Sequence, residues 1–221
     1  MTLDQWFQQA FKKFGEINLP TAIILITLVA LGVGVLVMSG KKAKWTTHML
    51  TCAALAIALA FVLSMIRLYK MPQGGSISAA GKLPIILFAY AFGAAPGITA
   101  GVVFGMIDFI NSSSPITNIW SFLLDYSVAF GLLGLSGLFG KMKNQSIALP
   151  VGIIVACTAR FIASVMSGVM FYAAYAEGTG MSPLVYSITY NGSYMLPDML
   201  ICILVGLLAG KRVVKIMKGS R

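Results

Sequence analysis

Charged residues are scarce in this chain of 221 residues: Asp, Glu, Lys and Arg together make up 10% of it, whereas 58% is hydrophobic. An average soluble domain carries about 25% charged residues. Such a chain has too few charges to cover its own surface in water, which excludes an ordinary soluble enzyme, a disordered tail and a conventional nucleic-acid-binding domain. The composition predicts an all-α polytopic membrane protein.

Histidine and cysteine are also rare. The single histidine is His48, and the three cysteines lie far apart within apolar runs, at Cys52, Cys157 and Cys202. No CxxC or paired-histidine spacing of a metal site occurs, so we expect neither a metal nor a cofactor. The motifs GxxxxGK[ST] and GxSxG are absent as well, which excludes ATP hydrolysis by a phosphate-binding loop and a nucleophile elbow of the hydrolase type.

Acidic residues number only 6 against 16 Lys and Arg, which gives a net charge of +10. Basic residues accumulate at the cytoplasmic ends of membrane helices, so the excess indicates membrane topology and no nucleic-acid partner. Apolar runs follow one another at 19–38, 46–66, 82–95, 97–110, 119–140 and 147–175, with a last run that ends at Gly210. About 20 helical residues span a bilayer, so most of these seven runs suffice, although the third and fourth are short.

An odd number of spans puts the two termini on opposite sides of the membrane. With the C-terminus inside, the inside segments hold Lys41, Lys42, Lys44, Lys141, Lys143, Lys211, Arg212, Lys215, Lys218 and Arg221. The outside segments then hold Lys12, Lys13, Arg67, Lys70 and Lys82. Ten basic residues against five predict an outside N-terminus and a cytoplasmic C-terminus in the cell membrane.

Four charged residues fall within the apolar runs: Asp108, Asp125, Arg160 and Asp198. Each costs about 2.5–3.5 kcal/mol at the bilayer centre, so each needs a partner or a purpose. Arg160 and Asp198 lie near the middle of neighbouring antiparallel spans, which predicts that they pair with each other. Asp108 lies near the outer end of its span, where water reaches it.

Asp125 has no basic residue at helical spacing, and its neighbours are aromatic: Trp120, Phe122, Tyr126 and Phe130. The last spans add Tyr172, Tyr175, Tyr186, Tyr190, Asn191 and Tyr194. A carboxylate among tyrosines suits a cationic or amine-bearing ring, because the rings stack on the ligand and the carboxylate supplies its counter-charge. An interfacial aromatic belt has the same composition, and composition leaves both interpretations open.

Small residues recur four apart in the second run, at Ala54 and Ala58 and at the offset pair Ala56 and Ala60. Such faces permit close contact between membrane helices. The pattern fits either docking on another membrane subunit or internal packing.

Three segments, LYKMPQGGSIS at 68–78, LLDYSVAF at 123–130 and VYSITYNGSYMLP at 185–197, occur in this order. They resemble the thiamine-specific S component of energy-coupling factor (ECF) transporters over about 46–210. The resemblance implies a six-helix membrane protein that binds thiamine from outside and docks on a transmembrane T component (EcfT) and two ATPase subunits. It divides the chain into an N-terminal amphipathic segment with an extra transmembrane helix, 1–45, and a substrate-binding membrane domain, 46–221.

The resemblance also implies roles for single residues. The substrate site comprises Asp125, Tyr126, Ser164, Gly168, Tyr172, Tyr186 and Asn191. A loop at 71–76 with Met71, Gln73 and Gly74 closes over the pocket, and Ala54 and Ala58 form the face that docks on the T component. The family usually has a histidine four residues after the basic residue of its fifth helix, whereas Ser164 follows Arg160 here.

Thiamine carries a fixed thiazolium charge and an aminopyrimidine, so uptake of thiamine is the leading hypothesis. Ser164 favours an alternative within the class, an S component for a hydroxymethylpyrimidine or pyridoxine compound. An intramembrane enzyme that uses Asp108, Asp125 or Asp198 is a remote alternative, because no paired carboxylates or Ser/His arrangement supports it. A membrane scaffold without a ligand is the last alternative.

Overall fold

The computed structural model of the protein describes residues 45–111 and 119–219. Six helical segments and a two-stranded hairpin make up these two ranges. The predicted extra span at 19–38, and with it the proposed N-terminal unit, lies outside the described residues. The basic residues before Trp45 that enter the topology count lie outside them as well.

Helix α1 (Thr47–Met65) begins where the Thr46 hydroxyl accepts a hydrogen bond from Met49 N at 3.2 Å, as an N-cap does. Its buried residues recur at helical spacing and are all small: Ala53, Ala56, Ala60 and Ser64. The opposite face is exposed and apolar, with Leu55 64% exposed. A helix that packs through small residues and turns leucines outward is typical of a bundle in lipid.

An antiparallel hairpin follows α1, where the resemblance implies a loop. Its strands are β1 (Arg67–Lys70) and β2 (Ser76–Ser78). The turn between them closes where Met71 N donates to Gly75 O at 2.7 Å. Gly74 has a φ of 95°, a conformation that glycine adopts without the steric cost of a Cβ atom.

Helices α2 (Leu83–Phe92) and α3 (Ala94–Asn111) meet at Gly93, whose φ is 107°. This junction agrees with the break that the sequence predicts between the third and fourth runs. Every residue of α2 from Leu83 to Tyr90 is buried. A helix that is apolar on all sides lies in a core, so this short run forms the centre of the bundle.

The segment α4 changes its winding three times, as α-helix Ile119–Phe122, π-helix Leu123–Val128, α-helix Ala129–Gly131 and 3₁₀-helix Leu132–Phe139. It packs against a glycine face of α3 formed by Gly97, Gly101 and Gly105. A Cβ atom at Gly101 would overlap the carbonyl of Phe130, and one at Gly105 would overlap that of Tyr126. The four-residue spacing of these glycines is visible in the sequence and is the signal that locates this contact.

Helix α5 (Gln145–Phe171) is the longest uninterrupted α-helix in the described ranges. The apolar run in the sequence predicts that it continues to Tyr175, which is too far. The chain leaves the α-helix at Tyr172 and forms the 3₁₀-helix Ala173–Ala176. Segment α6 comprises α-helix Pro183–Val205, π-helix Gly206–Gly210 and α-helix Lys211–Met217. The basic tail that the sequence places after the last run is therefore helical through Met217.

Three of the described helices are long and apolar enough to cross a membrane: Thr47–Met65, Trp120–Phe139 and Gln145–Phe171. Leu83–Phe92 and Ala94–Ile110 are shorter apolar helices. The six segments agree with the all-α architecture that the composition predicts, and the hairpin is the one addition to it in the described ranges.

Candidate functional site

A cavity of about 150 Å³ lies between the hairpin and helices α4, α5 and α6. Nine of the residues predicted from the sequence line it: Gln73, Gly74, Asp125, Tyr126, Ser164, Gly168, Tyr172, Tyr186 and Asn191. Residues from four separate parts of the chain therefore meet around one space. Their role in binding a ligand stays a prediction.

The other predicted residues lie elsewhere. Met71 does not line the cavity, and its backbone N–H closes the hairpin turn. Ala54 and Ala58 lie on the exposed face of α1, whereas Ala56 and Ala60 are buried in the bundle. The two small-residue patterns thus divide between an exposed face and internal packing.

Asp125 and Tyr126 both belong to the π-helical turn of α4. A π-helix adds a residue to the turn and so re-aims the side chains around it, which is why such turns often occur at functional sites. Asp125 lines the cavity, and its Oδ2 accepts a hydrogen bond from Ser167 Oγ at 2.7 Å. Sequence reasoning missed Ser167 because this bond joins two helices and no local pattern marks it.

Tyr126 is held in an aromatic column on α4. Its ring is nearly parallel to Phe122 and Phe130, at centroid distances of 5.9 and 6.3 Å, and Phe109 meets it edge-on at 5.2 Å. Residues four apart share one face of a helix, so the column follows directly from the sequence spacing. Tyr126 and Phe130 line the cavity, which makes this column one of its walls.

The hairpin lies against a row of tyrosines on α6. Gln73 Nε2 donates to Tyr186 Oη at 2.7 Å, and Gly75 N donates to Tyr190 Oη at 3.2 Å. Gly75 also packs closely on Tyr194, because a Cβ atom at this position would lie 2.7 Å from the ring. The turn of the hairpin is thus hydrogen-bonded across the cavity mouth to α6.

Asn191 has a fixed amide orientation. Its Nδ2 donates to Ser187 O at 3.0 Å and to Ser187 Oγ at 3.2 Å, and its Oδ1 accepts from Tyr194 Oη at 2.8 Å. Ser187 Oγ in turn donates to Val165 O of α5 at 2.9 Å. The amide oxygen keeps a second lone pair for a donor in the cavity.

The predicted pairing of Arg160 with Asp198 is wrong. Asp198 Oδ2 lies 3.1 Å from Lys82 Nζ, and Asp198 Oδ1 accepts from both Ser78 N and Ser78 Oγ, at 2.9 and 2.8 Å. Lys82 therefore does not serve as an exposed cation of the outside loop; its side chain is only 9% exposed and pairs with Asp198 at the base of the hairpin. Lys82 directly precedes an apolar run in the sequence. That position suggests a lysine at the membrane interface, so the sequence does not indicate its contact with Asp198.

Arg160 instead lies over the ring of Phe130, with its guanidinium carbon 4.4 Å from the centroid. Its buried Nε has no hydrogen-bond partner among the described residues. Arg160 lines the cavity, as does Ser164 one turn further along α5. Asp108 lines the same cavity and is half-buried, whereas the sequence suggests only that it lies at a helix end reached by water.

Within residues 45–111 and 119–219, no group of three or more His, Cys, Asp or Glu side chains is arranged to hold a metal ion. The polar groups of the cavity are instead carboxylates, guanidinium groups, an ammonium group, hydroxyls and two side-chain amides. Such a set suits an organic ligand with a cationic or amino-bearing aromatic ring.

A family model described as thiamine transporter protein (Thia_YuaJ) matches residues 50–218. A protein named thiamine transporter ThiT from Bacillus subtilis (strain 168) is 32% identical over 164 residues, which cover 69% of this chain and 84% of that protein. Another with this name, from Lacticaseibacillus paracasei, is 31% identical over 175 residues, which cover 71% of this chain and 82% of that protein.

A solved structure of ThiT from Listeria monocytogenes has the same fold, with a TM-score of 0.67 and 26% sequence identity. The match covers 76% of this chain and 96% of that one. The all-α membrane fold that the sequence predicts is thereby confirmed.

Proposed function

The chain belongs to the thiamine transporter family Thia_YuaJ, and from this membership and the cavity we propose that it is an S component that captures thiamine from outside the cell. The observation that carries the proposal is the carboxylate of Asp125 in a cavity walled by tyrosines and by the oriented amide of Asn191. This set matches a ligand with a fixed positive charge, an aromatic ring and an amino group. The chain itself carries out no catalysis.

Each wall of the cavity has a distinct part in binding. Asp125 provides the negative charge for the thiazolium ring, and Tyr126 and Tyr172, which both line the cavity, offer aromatic faces. The free lone pair of Asn191 Oδ1 accepts from an amino group. Tyr186 lines the cavity, where it contacts the ligand, and it also accepts a hydrogen bond from Gln73 of the hairpin.

The hairpin closes the cavity over the captured ligand, which is the gating role that the resemblance implies for Met71, Gln73 and Gly74. The turn of the hairpin supports this role, because few hydrogen bonds tie it to α6 in the described residues: those between Gln73 and Tyr186 and the one from Gly75 to Tyr190. Bonds so few in number break and re-form readily, as a lid requires.

Uptake needs energy, and we propose that it comes from partners. The exposed Ala54 and Ala58 form a shallow strip between leucines on α1, which permits close approach of a helix of the T component EcfT. Two ATPase subunits then hydrolyse ATP and drive release of thiamine to the cytoplasm. For uptake in this direction, we propose that the protein lies in the membrane with its N-terminus outside and its basic C-terminal helix at the cytoplasmic face.

Titration of the purified protein with thiamine in detergent tests the proposal. We expect saturable quenching of the intrinsic tryptophan and tyrosine fluorescence at nanomolar thiamine, since tyrosines line the cavity and Trp120 packs against the same apolar cluster as the cavity residue Tyr172. Thermal unfolding in the same detergent shows that the sample is folded. A folded protein without a saturable response would contradict thiamine as the ligand.

Ser164 supports a second candidate, an S component for a hydroxymethylpyrimidine or pyridoxine compound. Its small side chain lines the cavity where the family usually has an imidazole, which leaves room and removes a stacking surface. A ligand without a permanent cation also depends less on Asp125. The two candidates therefore differ in what a histidine at this position does.

For a thiamine site, Ser164→His is expected to tighten thiamine binding by about two- to tenfold, because an aromatic stacking contact contributes about 0.5–1.5 kcal/mol. Binding of pyridoxine or hydroxymethylpyrimidine is expected to stay undetectable. The same substitution at the exposed Ser193 of α6 is the matched control. If Ser164→His abolished binding of a pyridoxine compound that the wild type binds, the second candidate would replace the first.

A further inference from the structure

Ser167 carries a fully buried hydroxyl, 0% exposed, on α5 directly before Gly168, which lines the cavity. Serine in a helix commonly donates to the carbonyl four residues earlier in its own helix. Ser167 instead donates across the bundle to Asp125 Oδ2, at 2.7 Å. A hydroxyl has a single hydrogen to donate, so that of Ser167 is committed to the carboxylate.

In the described part of the chain, Ser167 is the one side chain that hydrogen-bonds Asp125. The other charged residues that line the same cavity are Arg67 on β1, Lys82 just before α2, Asp108 on α3 and Arg160 on α5. Its titratable hydroxyls belong to Tyr126, Tyr172, Tyr175, Tyr186, Tyr190 and Tyr194. Lys82 pairs with Asp198, and Arg160 lies over the ring of Phe130, so the contact described at the Asp125 carboxylate is the one from Ser167. A lone carboxylate in a membrane bundle depends strongly on each donor that it has.

The geometry fixes the carboxylate in two ways. The π-helical turn sets the direction of the Asp125 side chain, and Ser167 fixes its rotation by holding one oxygen. The second oxygen is then left for a ligand in the cavity. A donor at one oxygen also favours the ionised carboxylate, the form that attracts a cation.

We propose that Ser167 is a positioning residue for substrate capture: its hydroxyl holds Asp125 Oδ2 so that the ionised carboxylate faces the ligand. The inference rests on the proposed function, in which Asp125 binds the thiazolium ring. Ser167 acts only through Asp125. Because this contact joins two helices, the pattern of residues along the chain does not indicate it.

The test compares Ser167→Ala with Ser167→Thr, which keeps the hydroxyl. Loss of a hydrogen bond to a charged group is expected to weaken thiamine binding about tenfold at pH 7 in Ser167→Ala. Because the remaining carboxylate accepts a proton more easily, thiamine binding is expected to fall off at a higher pH than in the wild type. Ser167→Thr is expected to restore both the affinity and the pH profile.

Ser136→Ala is the matched control, because Ser136 is equally buried and donates one hydrogen bond, to Ile86 O at 2.8 Å, far from Asp125 in the fold. A general packing effect would weaken binding in Ser136→Ala as well and would leave the pH profile unchanged in both variants. That result would overturn the proposal, as would wild-type affinity in Ser167→Ala.

A measurement without ligand separates this inference from the proposed function. The infrared band of the protonated Asp125 carboxyl, assigned by its loss in Asp125→Asn, can be followed against pH in the empty protein. We expect this carboxyl to become protonated at a higher pH in Ser167→Ala than in the wild type. An unchanged infrared titration would refute the positioning role, whereas failure of the wild type to bind thiamine would refute only the proposed function.

Discussion

Asp125→Asn is expected to weaken thiamine binding by at least about 30-fold. The carboxylate is the one acidic group of α4 in the cavity, and removing one partner of a buried charge pair costs about 2–5 kcal/mol. Every 1.4 kcal/mol corresponds to a factor of ten in the dissociation constant. The substitution keeps the size and the hydrogen-bond acceptor for Ser167, so the loss reports on the charge. Fluorescence titration or calorimetry in detergent measures it.

Glu177→Gln is the matched control for Asp125→Asn. It removes a charge of the same sign from the exposed loop after α5 and is expected to leave thiamine affinity unchanged. Equal weakening in both variants would indicate a general electrostatic effect, and unchanged affinity in Asp125→Asn would remove this residue from the site. A ligand without a permanent cation would show a much smaller loss, which also separates thiamine from the pyridoxine-type candidate.

The helices of the bundle follow from local sequence features. Apolar runs of sufficient length predict α1 and α5, and the glycine at position 93 predicts the break between α2 and α3. Helix boundaries are less predictable, as the early end of α5 at Phe171 shows. The chain turns there into a 3₁₀-helix although its residues remain apolar and aromatic.

The sequence predicts only part of the site. The spacing of Phe122, Tyr126 and Phe130 gives the aromatic wall directly, because residues four apart share a helix face. Hydropathy and helical spacing do not reveal the π-helical turn that presents Asp125, since its residues suit an α-helix equally well. The contact from Ser167 depends on how two helices pack, which a single sequence does not specify.

Charge pairing is the clearest example of this limit. Arg160 and Asp198 fall at similar depths of neighbouring spans, and depth alone favours their pairing. The hairpin, however, brings Ser78 and the start of α2 against α6, so that Asp198 meets Lys82. Helical periodicity cannot predict this contact, because the contact depends on how the hairpin folds.

Asp198→Ala is expected to lower the free energy of unfolding by about 3–5 kcal/mol, because it leaves the Lys82 ammonium buried without its partner. The two side chains are 9% and 5% exposed, and Asp198 also holds the backbone N–H of Ser78. Lys82→Met removes the other charge and is expected to cost a similar amount. Thermal or denaturant unfolding in detergent, followed by circular dichroism, measures both.

The double variant decides whether the pair acts as a unit. With both charges removed, no stranded charge remains, so Lys82→Met with Asp198→Ala is expected to destabilise less than the sum of the two single changes. Lys211→Met is the control, since Lys211 donates to Ser146 Oγ at an exposed position and its loss is expected to cost less than about 0.5 kcal/mol. Strictly additive losses, or single variants as stable as the wild type, would show that the ion pair does not anchor the hairpin. If the pair does anchor it, the single variants also lose bound thiamine faster, because the base of the lid is no longer tied to α6.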